Sequence, residues 1–291
     1  MSSDLHLHTK FSDGLLSPTE LVEQAVNVGL AIISITDHDS TDGIIEALTA
    51  TDLYPQITLI PGVELSTDFE GGEIHILGYF NEIPEGIFQD KMAEFRQSRV
   101  GRARDMIGKL AGLGMELDWQ RVQELAADGS IGRPHVALAL QEQGYVETVS
   151  EAFDKYIGIT GPAYVDRQKL APDEAITLIK NAGGVAVLAH PLNKEIDLRN
   201  IDTGHLAKLV TDLAQAGLTG IETYYGSYTP AARKHLAGLA EENQLLSLGG
   251  SDFHGPGIGA DVPLGASDTS VECGKDLLRA LDELWNMFED E

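Results

Sequence analysis

The sequence has a single cysteine, few basic residues and no long apolar run. Cys273 is the only cysteine in 291 residues, which excludes an intramolecular disulfide and any cysteine-rich zinc site. Lys and Arg total 20 against 46 Asp and Glu, and the formal net charge of -26 disfavours extended duplex nucleic acid as a partner. We find no segment long and apolar enough for a bilayer and no signal peptide, so we expect no membrane partner and a cytoplasmic location.

Short apolar runs alternate with helical patterns through most of the chain. Seven runs have the length and composition of strands, at residues 5–8, 31–36, 57–64, 73–80, 185–189, 220–224 and 245–249. Between the first two, Ser17 and Glu20 bracket Pro18 as a helix capping box. Alternating strands and helices predict an α/β fold with a mainly parallel sheet, either a closed barrel or an open doubly wound sheet. We favour a barrel that is incomplete by one strand.

The segment from about 84 to 167 interrupts this alternation. It has helical periodicity and no convincing strand, and it predicts a helical insertion between two parts of the barrel, 1–83 and 168–291. The insertion also holds a large share of the 20 basic residues: Lys91, Arg96, Arg99, Arg102, Arg104, Lys109, Arg121 and Arg133.

Histidines and carboxylates recur at the predicted strand ends. His6 and His8 project from the same face of the first strand, because alternate side chains of a strand share a face. Others sit on the loops that follow strands or, for His75, within the fourth strand: Asp13, Asp37, His38, Glu64, His190, Asp252 and His254. Because the carboxyl ends of parallel strands meet at one face, we expect these side chains to converge on divalent metals.

The alternative is that each of these residues separately packs in the core or caps a helix. We expect that role for Asp39, which precedes Ser40–Thr41–Asp42 as a helix cap. Asp37 is expected to accept hydrogen bonds that orient a metal ligand. His205 and His235 lie on predicted helices away from the strand ends and receive no role.

The order of these motifs resembles the polymerase and histidinol phosphatase (PHP) superfamily over essentially the whole chain. The motifs are His6–Leu7–His8 with Asp13, Thr36–Asp37–His38–Asp39, Pro61–Gly62–Val63–Glu64, His75, Ala189–His190–Pro191 and Gly250–Ser251–Asp252 with His254. The resemblance implies a distorted seven-stranded β/α (TIM-like) barrel that holds three divalent metals. The implied ligand sets are His6, His8, Glu64 and Asp252; Asp13, His38 and His254; and Glu64, His75 and His190.

One ligand departs from the family pattern. Many relatives have histidine at the position of Asp13, so the second metal site of this chain is richer in oxygen. Oxygen ligands suit manganese or magnesium, whereas imidazoles suit zinc or iron. We favour manganese and keep zinc, iron and magnesium as alternatives.

The helical insertion resembles that of the TrpH/YciV branch, which contains 3′,5′-nucleoside bisphosphate phosphatases and 5′-to-3′ exoribonucleases. The implied substrate is a small nucleotide or a short 5′-phosphorylated oligonucleotide, hydrolysed by metal-activated hydroxide. The implied phosphate-binding residues are Arg99, Arg102, Arg133 and His135, and Tyr224 is expected to stack on the substrate or to hydrogen-bond it. His190, His254 and Asp37 are the catalytic candidates, with no general acid assigned. Oligomeric state is left open.

Three other functions are compatible with a histidine-rich barrel. The first is a phosphatase for a small monophosphate of the histidinol-phosphate type, which the basic insertion disfavours. The second is metal-dependent hydrolysis of an amide or lactone, disfavoured by motif order and by the lack of a plausible bridging lysine near the fourth strand. The third is a structural metal-binding module, although nine predicted ligands for three metals leave room for water and substrate.

Overall fold

The computed structural model describes residues 2–69, 72–126, 129–166, 170–192, 203–256, 262–267 and 269–289. The strands are β1 (Ser2–Leu7), β2 (Leu30–Ile35), β3 (Thr58–Phe69), β4 (Gly72–Tyr79), β5 (Val185–Leu188), β6 (Gly220–Tyr225) and β7 (Leu246–Gly250). The helices are α1 (Pro18–Asn27), α2 (Ile44–Thr51), α3 (Ile87–Gly112), α4 (Trp119–Ala126), α5 (Arg133–Glu142), α6 (Val149–Ala152), α7 (Pro172–Asn181), α8 (Thr203–Gln215), α9 (Pro230–Glu242) and α10 (Val271–Glu289).

The seven strands form one sheet in chain order. β4 runs antiparallel to β3 and β5, and the other neighbouring pairs are parallel. The sheet nearly closes after β7, where the Asp252 N–H donates to the His6 carbonyl and the His8 N–H donates to the Phe253 carbonyl, both at 3.0 Å. Gly250 permits this approach, because a Cβ there would lie 2.3 Å from the His6 Cβ. The predicted distorted seven-stranded barrel is confirmed.

Apolar side chains and α10 fill one end of the barrel. Leu5, Leu77 and Leu248 pack against Leu277 and Leu281 of α10 in a buried cluster. The Asn81 amide, just after the antiparallel β4, donates to the Leu281 carbonyl at 3.1 Å. Because β4 is antiparallel, its last residue, Tyr79, pairs with the first residue of β5, Val185. The contact of Asn81 with α10 therefore shows that α10 covers the amino ends of the parallel strands. The carboxyl ends remain at the opposite face, where polar side chains can gather.

The chain between β4 and α7 is helical. It contains α3, α4, α5, α6 and a π-helical turn (Phe153–Ile157), and described residues 84–166 include no strand. These helices share an apolar cluster of their own that includes Met106, Leu110, Val122 and Leu140. The domain limits at 83/84 and 167/168 stay a prediction, and residues 167 and 168 lie outside the described part. Of the helices in the described ranges, none is long and apolar enough to cross a membrane.

Candidate metal centre

Nine side chains meet at the carboxyl ends of the parallel strands. We call them the histidine–carboxylate cluster; its members are His6, His8, Asp13, His38, Glu64, His75, His190, Asp252 and His254. Each of the nine contacts another member through a nitrogen–oxygen pair of 3.3 Å or less. The structure thus brings together every residue that the sequence proposed as a metal ligand.

Glu64 occupies the centre of this cluster. It is fully buried, and five imidazole nitrogens lie 2.6–3.3 Å from its two oxygens. They belong to His6, His8, His38, His75 and His190. Burial by itself raises the pKa of the Glu64 carboxyl, but the surrounding imidazoles hold it well below its ordinary value. Glu64 is therefore an anion that can serve more than one cation at once.

The donor atoms of the cluster fall into three groups, each with its atoms within 4.8 Å of one another. The groups are His6, His8, Glu64 and Asp252; His8, Asp13, His38 and His254; and His38, Glu64 and His75. The first equals the first set implied by the resemblance. The second contains the implied second set and adds His8. The third contains His38 where the resemblance implied His190, although the His190 Nε2 also lies 2.9 Å from Glu64 Oε1.

Three buried atoms of the cluster support a role in metal binding. Asp13 Oδ1, His38 Nδ1 and Glu64 Oε2 have no hydrogen-bond partner among the described residues. Leaving a buried polar atom without a partner costs about 1–3 kcal/mol, so several at one point indicate a binding site for a cation. The donors are imidazoles and carboxylates, which divalent transition metals prefer in proteins. The residues present therefore fit the metals that the sequence implies.

The loop after β1 places Asp13 beside His8. The Ser12 and Gly14 N–H groups donate to the Thr9 carbonyl at 3.0 and 2.9 Å, which turns the chain back towards the barrel. Asp37 holds this loop, because it accepts hydrogen bonds from the Thr9 N–H, the Thr9 hydroxyl and the Ser12 hydroxyl at 2.6–2.7 Å. Ser12 in turn lies 3.3 Å from His8 Nδ1. Asp37 therefore holds the loop that carries Asp13, and its role in orienting a metal ligand stays a prediction.

The backbone is strained where cluster residues leave the sheet. His190 has a φ of 25°, Asp252 a φ of 55° and the adjacent Asp39 a φ of 52°. A non-glycine residue in this left-handed region costs of the order of 1–3 kcal/mol, and such strain concentrates at functional sites. Interactions elsewhere hold these turns; the His190 N–H, for example, donates to Glu222 Oε2 at 2.6 Å.

Two residues outside the nine predicted ligands, Glu222 and Tyr225, contact the first donor group. Glu222 is fully buried, and its Oε1 lies 3.1 Å from His6 Nδ1. The Tyr225 hydroxyl donates to Asp252 Oδ2 at 2.9 Å, and its ring lies at 5.7 Å from that of His190. Partners of this kind fix ligand orientation and basicity.

Tyr224 of β6 does not face the histidine–carboxylate cluster, contrary to the expectation that it contacts the substrate. A register shift between Glu222 and Tyr224 changes the alternation of side chains along β6. Tyr224 packs against the apolar cluster that includes Leu248 and Leu277, while Tyr225 reaches the histidine–carboxylate cluster. A single sequence offers no pattern that would reveal this bulge.

Replacing Tyr225 with Phe removes the hydroxyl and keeps the ring. We expect a weaker first metal site, with roughly tenfold more metal needed for half-maximal activity, as for other partners of metal ligands. Titrating activity against metal concentration measures this shift. Tyr145→Phe is the matched control, because the Tyr145 hydroxyl accepts from the Glu116 N–H in the helical insertion. An unchanged metal requirement in Tyr225→Phe would contradict the supporting role.

A cavity joins the cluster to the helical insertion. We call it the arginine cavity, because Arg99, Arg102 and Arg133 line it together with Asp13, His38 and His75. The Arg99 Nε donates to Asp39 Oδ2 at 2.6 Å, and Arg133 Nη2 lies 3.3 Å from Glu73 Oε2.

Two further contacts position Arg102 and Arg133. The Arg102 Nε donates to the Val165 carbonyl at 2.7 Å, and the Arg133 guanidinium lies over the Phe153 ring at 5.5 Å. All three predicted arginines thus line one space.

His135 and Asp39 have different surroundings from those the sequence predicted. The His135 Nδ1 accepts from the Gly132 N–H at 2.9 Å at the start of α5, and burial lowers the pKa of this imidazole. It is buried behind the arginine cavity and braces the loop that carries Arg133. Asp39 caps no helix: the residue before α2 is Gly43, which gives no side-chain cap, and Asp39 binds Arg99.

The charge state of the cluster depends on its carboxylates. Burial lowers the pKa of His75 and His254, but Glu64 and Glu73 outweigh it at His75, and Asp13 and Asp252 outweigh it at His254; each pKa rises to about 10. At His38 burial prevails and lowers the pKa to about 3. Without metal, His75 and His254 therefore carry protons at neutral pH.

Metal binding should release these protons. A metal needs the neutral imidazole, so each site that displaces a proton should gain roughly tenfold in apparent affinity per pH unit up to about pH 10. Calorimetric titration of manganese in two buffers of different ionisation enthalpy counts the protons. His75→Ala should release one fewer proton than the unmodified chain. Binding heats that do not depend on the buffer would contradict this charge assignment.

Comparisons with known proteins agree with this arrangement. The PHP domain family model matches residues 4–214. A 5′-3′ exoribonuclease Rnm of Salmonella typhimurium is 36% identical over 256 residues, which are 87% of this chain and 85% of the relative. A 3′,5′-nucleoside bisphosphate phosphatase of Chromobacterium violaceum is 33% identical over 262 residues, 88% of each chain. A Bifidobacterium adolescentis structure described as a metal-dependent phosphoesterase has a TM-score of 0.84 at 31% identity and covers 95% of both chains.

Proposed function

Since this chain belongs to the PHP domain family and is a metal-dependent phosphoesterase, we propose that it acts on substrates with two phosphates. The substrates are nucleoside 3′,5′-bisphosphates, which lose the 3′-phosphate, and short RNA with a 5′-phosphate. One observation carries this proposal: three side chains of the histidine–carboxylate cluster and three arginines line a single cavity. One phosphate can therefore bind at the metals while the guanidiniums hold another.

We propose three divalent metals, with manganese favoured over zinc, iron and magnesium. His6, His8, Glu64 and Asp252 would hold the first. Asp13, His38 and His254 would hold the second, and Glu64, His75 and His190 the third. When bound, such metals polarise the phosphoryl group and lower the pKa of water, which supplies the nucleophile at neutral pH.

The chain itself positions the substrate and handles protons. Hydrolysis forms a bond from a water oxygen to phosphorus and breaks the ester bond, so the leaving oxygen must gain a proton. His190 and His254, with side chains 8% and 12% exposed, stay the catalytic candidates beside their proposed roles as metal ligands, and no general acid is assigned. Asp37 acts by positioning, through its hydrogen bonds to the loop after β1.

The arginine cavity also favours this substrate class over its alternatives. A small monophosphate of the histidinol-phosphate type needs one phosphate site, and an amide or lactone needs none. Arg99 and Arg133 hold carboxylates in the described structure, at 2.6 and 3.3 Å. A phosphate would exchange these contacts for bidentate ones that match the guanidinium fork. A cytoplasmic location and the exclusion of duplex nucleic acid stay predictions.

The decisive experiment is phosphate release from adenosine 3′,5′-bisphosphate by the manganese-reconstituted protein. A 5′-phosphorylated short RNA and histidinol phosphate are assayed in parallel, with His8→Ala as the control against a contaminating phosphatase. We expect turnover of the bisphosphate that is lost in the variant. Absence of cleavage under manganese, zinc and iron, with the metals bound, would refute the substrate assignment.

A further inference from the structure

A second cavity lies beside the arginine cavity, and we propose that it binds the nucleobase of the substrate. This inference rests on the proposed function and adds a specificity site to it. We call the space the amide cavity; it is lined by Phe11, Asp42, Arg96, Gln97, Gln123 and Ser130. It lies between the loop after β1, the helix α3, and Gln123 of α4 with residues 129–131.

The chemistry of the amide cavity suits a base and not a phosphate. Its one cation, Arg96, already lies 3.7 Å from the Asp42 carboxylate and donates to the Asp39 carbonyl at 3.3 Å. The Asp42 carboxylate repels an anion but accepts from an exocyclic amine. The side-chain amides of Gln97 and Gln123 offer both donors and acceptors, which match the edge of a base.

An aromatic ring and a buried hydroxyl complete the lining. Phe11 offers a ring on which a base can stack. Ser130 is only 5% exposed, and its Oγ has no hydrogen-bond partner within the described residues. A ligand that reaches this hydroxyl would satisfy it. The Ser130 N–H donates to the Phe11 carbonyl at 3.0 Å, so both residues are held at fixed positions.

The position of the amide cavity matches the shape of a nucleotide. Ile131 lines both cavities, so they share a wall. Arg96 and Arg99 lie one turn apart on α3, face different cavities and both bind Asp39. In a nucleoside bisphosphate the base and the phosphates branch from one ribose. Adjacent sites for a phosphate and a base are therefore what such a ligand requires.

The test compares adenosine 3′,5′-bisphosphate with abasic ribose 3′,5′-bisphosphate. The double variant Gln97→Leu/Gln123→Leu removes both amides at nearly constant volume. We expect kcat/KM for the nucleotide to fall roughly tenfold, the effect of two hydrogen bonds, with no change for the abasic substrate. Gln120→Leu is the matched control. Gln120 lies on α4, like Gln123, but its amide is on the exposed surface, 3.4 Å from Glu124.

A second variant separates binding from folding. Ser130→Ala removes the buried hydroxyl of Ser130. If that hydroxyl served only to stabilise the fold, its loss would lower Tm. We expect an unchanged or higher Tm together with weaker binding of adenosine 3′,5′-bisphosphate, measured by calorimetric titration without metal. The glutamine double variant should also bind this nucleotide more weakly in the same titration.

The outcomes are distinct. Equal losses on the nucleotide and the abasic substrate, or a wild-type chain that turns over both equally well, would overturn the base site and leave the proposed function standing. If wild type hydrolyses neither substrate, the proposed function fails. The calorimetric comparison then still decides the base site, because it needs no turnover: equal affinities in wild type and variants would refute it.

Discussion

Replacing Glu64 with Gln is expected to lower kcat/KM by roughly a thousandfold, or about 4 kcal/mol of transition-state stabilisation. The change keeps the size of the side chain and removes its charge. Five imidazoles surround this carboxylate, and two of the three donor groups contain it. A neutral amide can offer only one oxygen, so two cations could no longer share the residue.

Metal analysis should accompany the assay of Glu64→Gln. We expect less bound metal per chain, measured by elemental analysis after gel filtration, because the amide is a poorer ligand than the carboxylate. Glu82→Gln, an exposed glutamate just after β4, controls for the loss of one negative charge. Full metal content together with full activity in Glu64→Gln would show that Glu64 is not a shared ligand.

Local signals in the sequence were sufficient to predict the strands of the barrel and the capping box of its first helix. The box at Ser17 and Glu20 forms as predicted, with the Glu20 N–H donating to Ser17 Oγ at 3.2 Å and the Ser17 N–H donating to Glu20 Oε2 at 2.8 Å. Each apolar run that was read as a strand is a strand. Because parallel strands all end at one face, the polar residues that follow them had to converge. Membership of the PHP family is confirmed.

The antiparallel direction of β4 did not follow from the predicted runs 57–64 and 73–80, because they leave eight residues between them, whereas β3 extends to Phe69. Only two residues separate β3 from β4, and so short a connection permits only antiparallel pairing. His75 consequently pairs with Ser66 near the start of β4, not at the end of a parallel strand. The positive φ values at His190 and Asp252 also arise from tertiary contacts that local sequence does not encode.

The helical insertion shows which information a single sequence lacks. The family resemblance implied phosphate-binding arginines in this insertion but did not identify the partners of each guanidinium. Asp39 and Glu73 bind Arg99 and Arg133 across about 60 positions of chain, and no local periodicity relates residues so far apart. The role of Asp39 was therefore assigned wrongly to a helix cap. The side chain at Tyr225 was missed because a bulge shifted the alternation of β6.

Replacing Arg133 with Ala is expected to discriminate between substrates with one phosphate and substrates with two. A charge-assisted hydrogen bond contributes about 2 kcal/mol, which corresponds to roughly a thirtyfold loss of kcat/KM for adenosine 3′,5′-bisphosphate. Hydrolysis of p-nitrophenyl phosphate should change less than threefold, because that substrate has no second phosphate to hold. Steady-state kinetics on both substrates give the ratio.

Two further variants exclude trivial explanations for the Arg133 effect. Arg104 also lies over an aromatic ring, that of Trp119 at 4.7 Å, but lines no part of the arginine cavity, so Arg104→Ala should leave both substrates unchanged. Arg133→Lys keeps the charge but loses the planar fork, and it should recover only part of the bisphosphate activity.

Arg133 also contacts Glu73, whose Oε1 lies 3.3 Å from His75 Nε2, so the substitution could disturb the metal centre. The aryl phosphate decides this point, since a damaged centre would slow both substrates equally. Equal losses would place the effect of Arg133 at the metals and refute its role in holding a second phosphate. A loss confined to the bisphosphate would mean that binding energy at a remote phosphate is used to position the one that reacts.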